Sequence, residues 1–271
     1  MMRRRSERAS NKPDCAIPRA LSRLCVVALG FTACGDRSIA PTDDDGSTSL
    51  TDTSASSTGM SDSPAPPDVG AGAIVCGEPE ENATSDEEIS LLEGCEIYEG
   101  NIAVNDVTDL SPMASLRILR GQLACHLNNN SLETLEGLER LEWAGGFYVT
   151  NNGLQSLSAV ESLTSVDAGF SVVGMPNFVD LGGLEKLRTV GDKLRVESNN
   201  ELTSLDGLSG LEWVGGELSI IANDKLVSLD GLSALQQVDG DVRIQLNPQL
   251  PQADIDAFLS RIEIGGEVHL D

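Results

Sequence analysis

Hydrophobic positions in the second half of the chain recur at a fixed interval. Reading from the first apolar residue of each copy gives LRVESNNELTSLDGLSGLEWVGG from Leu194, LSIIANDKLVSLDGLSALQQVDG from Leu218, and VRIQLNPQL from Val242. The three starting residues are each 24 residues apart. Because one such unit cannot bury its own apolar face, a repeat of this length predicts the stacked coils of a solenoid.

Each copy opens with a run in which apolar and polar residues alternate. The first apolar position is filled by Ile102, Leu123, Phe147, Phe170, Leu194, Leu218, Val242 and Val268. The second, two residues later, is filled by Val104, Cys125, Val149, Val172, Val196, Ile220, Ile244 and Leu270. Alternation with a period of two predicts a strand with one buried face. Leu or Val then follows at every third or fourth residue, which predicts a coil that turns around a Leu/Val core.

Cys125 occupies a slot that Val or Ile fills in most other copies, so we expect a buried thiol that acts as a small hydrophobic residue. A metal site shared with His126 is disfavoured, because neighbouring residues of a strand point to opposite faces.

An asparagine recurs five residues after the first strand position, at Asn128, Asn152, Asn199, Asn223 and Asn247. This position predicts an internal ladder of amides that hydrogen-bond the turns and each other. Asp-Gly and Glu-Gly pairs recur at another turn. Since the glycine-rich nonapeptide of a calcium-binding β-roll is absent, they indicate turn chemistry.

Residues 1–33 have the composition of a targeting segment: a basic opening and then a short apolar run, too short to span a bilayer. The run ends in Phe31-Thr32-Ala33-Cys34, which resembles a bacterial lipobox. We therefore expect cleavage before Cys34, lipidation of that residue, and attachment to the cell envelope. Gly35 and Asp36 favour the outer membrane. The alternative is an ordinary secretory signal.

Residues 34–72 contain no aromatic residue and are rich in Ser, Thr, Asp and Pro, which predicts a disordered tether. Removing residues 1–33 takes away seven of the 18 basic and two of the 43 acidic residues and leaves a net charge of −30. Nucleic acid is therefore excluded as a partner.

The predicted folded domain covers residues 73–271. Ser85 and Glu88 have capping-box spacing, which predicts a short helix that covers the first coil. Cys76 and Cys95 flank this helix, and a disulfide between them would contribute roughly 3 kcal/mol. Apolar residues at helical spacing between Pro251 and Ile262 predict a second helix at the C-terminal end.

The opening TSDEEISLLEGCEIYEGNIAV and the coil form L-x-V-x-x-N-x-x-L-x-x-L-x-G-L-x-x-L-x-x-V-x-G together resemble the receptor L domain. The resemblance covers about residues 74–271. It implies a mainly β fold: a right-handed parallel β-helix of leucine-rich coils with a helical N-terminal cap. Leucine-rich repeat proteins are the nearest alternative. The cysteine-rich modules, membrane helix and kinase of receptors with L domains are missing here, so hormone binding does not carry over.

No catalytic or cofactor fingerprint is present, and the two histidines lie far apart in coil number. A polysaccharide-active β-helix would need clustered carboxylates on one face. We therefore predict no enzyme activity, metal or cofactor.

Outward strand positions are the best candidates for a binding face that docks a protein or a wall polymer. The candidates are Tyr148, Val173, Arg195, Glu197, Ile221, Arg243 and Gln245. A passive spacer in the envelope is the alternative function.

Overall fold

The computed structural model describes residues 65–79, 81–104, 107–125, 132–150 and 153–271. The predicted signal segment, Cys34 and most of the predicted tether lie outside the described residues. The described part is mainly β, with short strands and few helices.

Eight of the described strands contain the first apolar position of an alternating run. In chain order they are β1 Val75–Cys76, β2 Asn82–Ala83, β3 Ile97–Tyr98, β4 Asn101–Ala103, β5 Ile118–Cys125, β6 Trp143–Thr150, β7 Ser165–Val166, β8 Phe170–Val173, β9 Thr189–Val190, β10 Leu194–Glu197, β11 Trp213–Val214, β12 Leu218–Ile221, β13 Gln237–Val238, β14 Val242–Gln245, β15 Glu263–Ile264 and β16 Val268–Leu270. The α-helices are α1 Asp86–Ser90 and α2 Gln252–Leu259. Single 3-10 turns span Ser111–Met113, Ser158–Val160, Asp206–Leu208 and Asp230–Leu232.

Every strand pairing in the described part is parallel. One series, here called the main ladder, runs through β4, the second half of β5 and of β6, β8, β10, β12, β14 and β16. A second ladder runs through β3, the first halves of β5 and β6, β7, β9, β11, β13 and β15. Because β5 and β6 belong to both, all strands form one long parallel sheet. This arrangement fits a parallel β-solenoid.

The register of the main ladder follows the sequence repeat. Leu194 pairs with Leu218, and Leu218 pairs with Val242, so equivalent residues of successive copies lie side by side. Their side chains are fully buried, as are the later Leu and Val positions. The second ladder was not predicted as strands, since Val214 and Val238 were expected only to be inward corners. Two-residue strands leave too short a run for alternation to be visible in the sequence.

The asparagine ladder connects four described coils, since Asn199 Oδ1 also accepts from the Met175 backbone N–H at 2.9 Å. Asn199 and Asn223 are fully buried. Asn223 Oδ1 accepts from the Asn199 backbone N–H at 3.1 Å, and Asn247 Oδ1 accepts from the Asn223 backbone N–H at 3.0 Å. Each amide therefore satisfies the turn of the preceding coil. Asn128 and Asn152 lie outside the described residues.

Helix α1 covers the first coil. Ser85 caps it and accepts from the Glu88 backbone N–H at 3.4 Å. The Glu88 carboxylate accepts from the backbone N–H and hydroxyl of Thr84, one residue before the expected partner. A disulfide joins Cys76 to Cys95, with the Cα atoms 5.9 Å apart, and Ile89 packs into the core.

The segment before β1 packs on the outside of the second ladder. Val69 and Ala73 lie against a small apolar cluster formed by Ile97, Ile118 and Trp143, separate from the main core. Val69, which the composition assigned to the tether, therefore contacts the domain. Outward apolar residues on these first coils are what make that contact favourable.

Candidate functional site

The candidate site is the outer face of the main ladder, meaning the positions that alternate with the buried ones. Its first column contains Ala103, Ala124, Tyr148, Ser171, Arg195, Ser219, Arg243 and His269. Its second column contains Thr150, Val173, Glu197, Ile221 and Gln245. The structure thus brings all seven predicted residues onto one continuous face. Asn105 and His126, which occupy the same sequence position in the first two copies, lie outside the described residues.

Arg195 is not an isolated cation on this face. Its Nε and Nη2 each donate to the Glu197 carboxylate at 2.9 Å, in a bidentate pair within one strand. Ser219 Oγ donates to the same carboxylate at 2.7 Å. The charge of Arg195 is therefore neutralised locally.

Arg243 is paired in the same way. It lies 3.2 Å from the Glu217 carboxylate and 3.1 Å from that of Asp241. The backbone N–H of Glu267 holds the pKa of Asp241 below its ordinary value, and His269 and Arg243 also favour its charged form. Arg195 and Arg243 are therefore both paired with carboxylates of the same chain, which reduces the positive charge that the outer face presents.

The outer face is also less exposed than strand alternation alone implies. Tyr148, Val173 and Ile221 are only partly exposed. Ser171 is 7% exposed and Ser219 is fully buried, although both belong to the outward column. Their short side chains lie between longer ones on the adjacent strands, which cover them.

Tyr148 lies across two strands of the ladder. A Cβ placed on Gly146 would come within 2.7 Å of its Cε2, and one on Gly169 within 3.2 Å of its Cε1. One ring edge approaches Gly146 on the same strand and the other approaches Gly169 just before β8, so the ring lies over backbone that carries no side chains. Burial raises the pKa of the Tyr148 hydroxyl, and a hydrogen bond with the Gly169 backbone partly opposes this.

The core beneath Tyr148 contains two stacked aromatic rings. Phe147 and Phe170 occupy the inward positions of the same two strands and are fully buried. Their rings stack with centroids 5.1 Å apart and planes 9° from parallel. The backbone that supports Tyr148 is thus held from below by stacked aromatic rings.

A third column, one residue before the first buried position, was missed by the sequence analysis. It contains Asn101, Gln122, Gly146, Gly169, Lys193, Glu217, Asp241 and Glu267. With the other two columns it divides the outer face into two halves. From β4 to β8 the described positions are uncharged, whereas from β10 to β16 charged side chains dominate and are largely paired. Aligning the residue before each strand would have revealed this division.

Other features of the described part are structural. Burial raises the pKa of the Cys125 thiol to about 12, as expected for a core residue and not for a nucleophile. A shallow depression of about 340 Å³ is lined by acidic turn residues, and one of them, Asp180, accepts from the Gly182 backbone N–H. No group of three or more His, Cys, Asp or Glu that could hold a metal occurs among the described residues.

Within the described ranges, no helix has the length and apolar composition needed to cross a membrane. Comparison of the chain with known protein families, curated proteins and solved structures gives no match.

Proposed function

We propose that the chain is a non-enzymatic recognition module of a bacterial cell envelope, anchored by lipid at Cys34. In this proposal a right-handed solenoid of leucine-rich coils, about 24 residues each and similar to the receptor L domain, carries the outer face. That face binds a protein or a wall polymer. The lipobox-like sequence, the composition of residues 34–72 and the coil motif support the anchor, the tether and the winding.

One observation carries the recognition function: eight strands in register present three aligned columns of side chains as a continuous surface. With neighbouring strands ~4.8 Å apart, this surface is roughly 35 Å long. It is large enough to contact an extended ligand over several coils.

A passive spacer is the competing function, and the ion pairs favour it. Arg195 and Arg243, which would be natural anchors for a partner, already have carboxylate partners within the chain. A solvated, self-paired surface would suit a protein that only separates other components.

Binding of the purified full chain to isolated envelopes separates the two functions. Val173→Arg places a long charged side chain on the outer face and is expected to weaken saturable binding at least tenfold. Val227→Arg is the matched control, because Val227 is 48% exposed and lies on the turn side of its coil. Thermal melting checks that both variants fold.

Equal binding by wild type and Val173→Arg would refute recognition through this face. A double reversal of Arg195 and Arg243 to Glu tests the charged half in the same assay. Each arginine is paired within the chain, so the reversal also removes internal ion pairs. The melting temperature of the double variant is therefore measured together with its binding.

A further inference from the structure

We infer that the uncharged half of the outer face, centred on Tyr148, binds an uncharged polysaccharide. This inference rests on the proposed function and deepens it, because it names the ligand class and the half of the face that holds it.

The Tyr148 ring is oriented so that a ligand can lie on its outer face. The ring lies over Gly146 on its own strand and Gly169 just before β8, so we take one of its faces to be turned to the sheet and the other outward. The side chain stays partly exposed. An aromatic ring carries negative charge density on its face, which attracts the polarised C–H groups on the apolar side of a pyranose ring. A flat, supported ring is therefore a platform for a sugar.

Polar groups lie beside the Tyr148 ring and can hydrogen-bond a sugar. Ala124 and Ser171 flank Tyr148 in register, and their small size leaves the platform open. Gln122 is exposed on the strand before it, next to the position of Gly146. Thr150 lies on the Tyr148 strand, in the second column. Amide and hydroxyl groups both donate and accept, which matches the mixed hydrogen bonding of sugar hydroxyls.

The charge of the protein favours a neutral ligand. Nucleotide bases also stack on tyrosine, so charge must separate them from neutral sugars. The chain carries a formal net charge of −25, which repels nucleotides and anionic polymers. The described positions of this half carry no charged side chain, so the surface there suits a neutral ligand. The four main-ladder strands β4, β5, β6 and β8 extend over about 14 Å, which suits a linear chain lying across them. A protein partner would need a broader apolar core than one tyrosine and small side chains provide.

The experiment is co-sedimentation of the purified full chain with cellulose, chitin and insoluble α-1,4-glucan, at low and high NaCl. Wild type is expected to bind at least one of these saturably, with a Kd that changes less than about threefold with salt, since no ion pair forms. Tyr148→Ala is expected to raise that Kd at least tenfold. Tyr148→Phe keeps the ring and is expected to stay within about threefold of wild type.

Gly169→Ala tests the orientation of the ring separately from its presence. An added methyl group would contact the Tyr148 ring and hydroxyl at 3.0–3.2 Å and tilt the ring off the sheet. Binding is expected to weaken several-fold while the tyrosine remains. Circular dichroism and the melting temperature show whether this variant and Tyr148→Ala keep the fold.

Three results would overturn the inference: no binding to any of the three polymers, equal binding by Tyr148→Ala, or binding abolished by salt. If envelopes still bind the chain and Val173→Arg still weakens that binding, the proposed function survives and the ligand is of another class, such as a protein. If envelope binding is also insensitive to Val173→Arg, both proposals fail.

Discussion

Replacing Asn223 by Ala tests the internal ladder that holds the coils in register. Asn223 is fully buried. Its Nδ2 donates to the Val196 carbonyl at 3.0 Å and to Asn247 Oδ1 at 3.2 Å, and its Oδ1 accepts from the Asn199 backbone N–H at 3.1 Å. One side chain therefore makes hydrogen bonds to the coil before it and to the coil after it.

The expected cost follows from these bonds. Removing the amide leaves the buried Asn199 N–H without this acceptor, which costs about 1–3 kcal/mol, and each further lost bond contributes about 1 kcal/mol. Because two further bonds are lost, the free energy of unfolding is expected to fall by about 3–5 kcal/mol in total. Asn200→Ala is the matched control, because the adjacent Asn200 is exposed, and its effect should stay within about 0.5 kcal/mol.

The assay is urea unfolding at pH 7, followed by circular dichroism. Solenoid coils can unfold in stages, so the transition is also followed by tryptophan fluorescence, which reports Trp143 and Trp213 together. A change below about 0.5 kcal/mol for Asn223→Ala would refute the claim that the ladder stabilises the stack.

Three further predictions concern local chemistry. Gly174 has a φ of 67° at the corner where Ala222 has 56°; Gly174→Ala should destabilise by about 1 kcal/mol in urea unfolding, whereas Ala222→Gly should be neutral or stabilising. Burial alone would raise the pKa of Glu88, but hydrogen bonds from Thr84 outweigh it and hold the pKa below the ordinary 4.5. The stability this carboxylate confers is present above its unfolded pKa and lost as pH falls through its folded pKa, so Glu88→Gln should lower the melting temperature at neutral pH but progressively less below about pH 4. Iodoacetamide should leave Cys125 unmodified in the folded chain and alkylate it in guanidinium chloride, and peptide mass spectrometry showing native modification would contradict its burial.

Much of the architecture could be predicted from the sequence, because a repeated pattern reports each slot several times. Leu194, Leu218 and Val242 agree on one inward position, and the register of the strands follows from that agreement. Cys125 is read correctly for the same reason, since its slot is known from other copies. The parallel sheet is shown by the structure; the winding direction stays a prediction.

The details of the candidate site could not be read this way, because they depend on side-chain reach between coils. Glu217 is outside the strand pattern that defined the face, yet it contacts Arg243 from 26 residues away. The packing of Tyr148 over Gly146 and Gly169 likewise depends on the register between β6 and β8 and on the lack of side chains at the two glycines. Alternation indicates on which side of the sheet a residue lies, but it does not show which neighbouring side chains cover that residue or pair with it.

The central claim is that the outer face makes contact with a component of the envelope. Its most direct test is maleimide labelling of the full chain carrying Thr150→Cys, on the outer face, or Val227→Cys, on the turn side, in envelopes and in purified form. We expect labelling at position 150 to slow severalfold in envelopes and labelling at position 227 to be unchanged. Equal rates at both positions in both settings would contradict recognition through this face and favour a passive spacer.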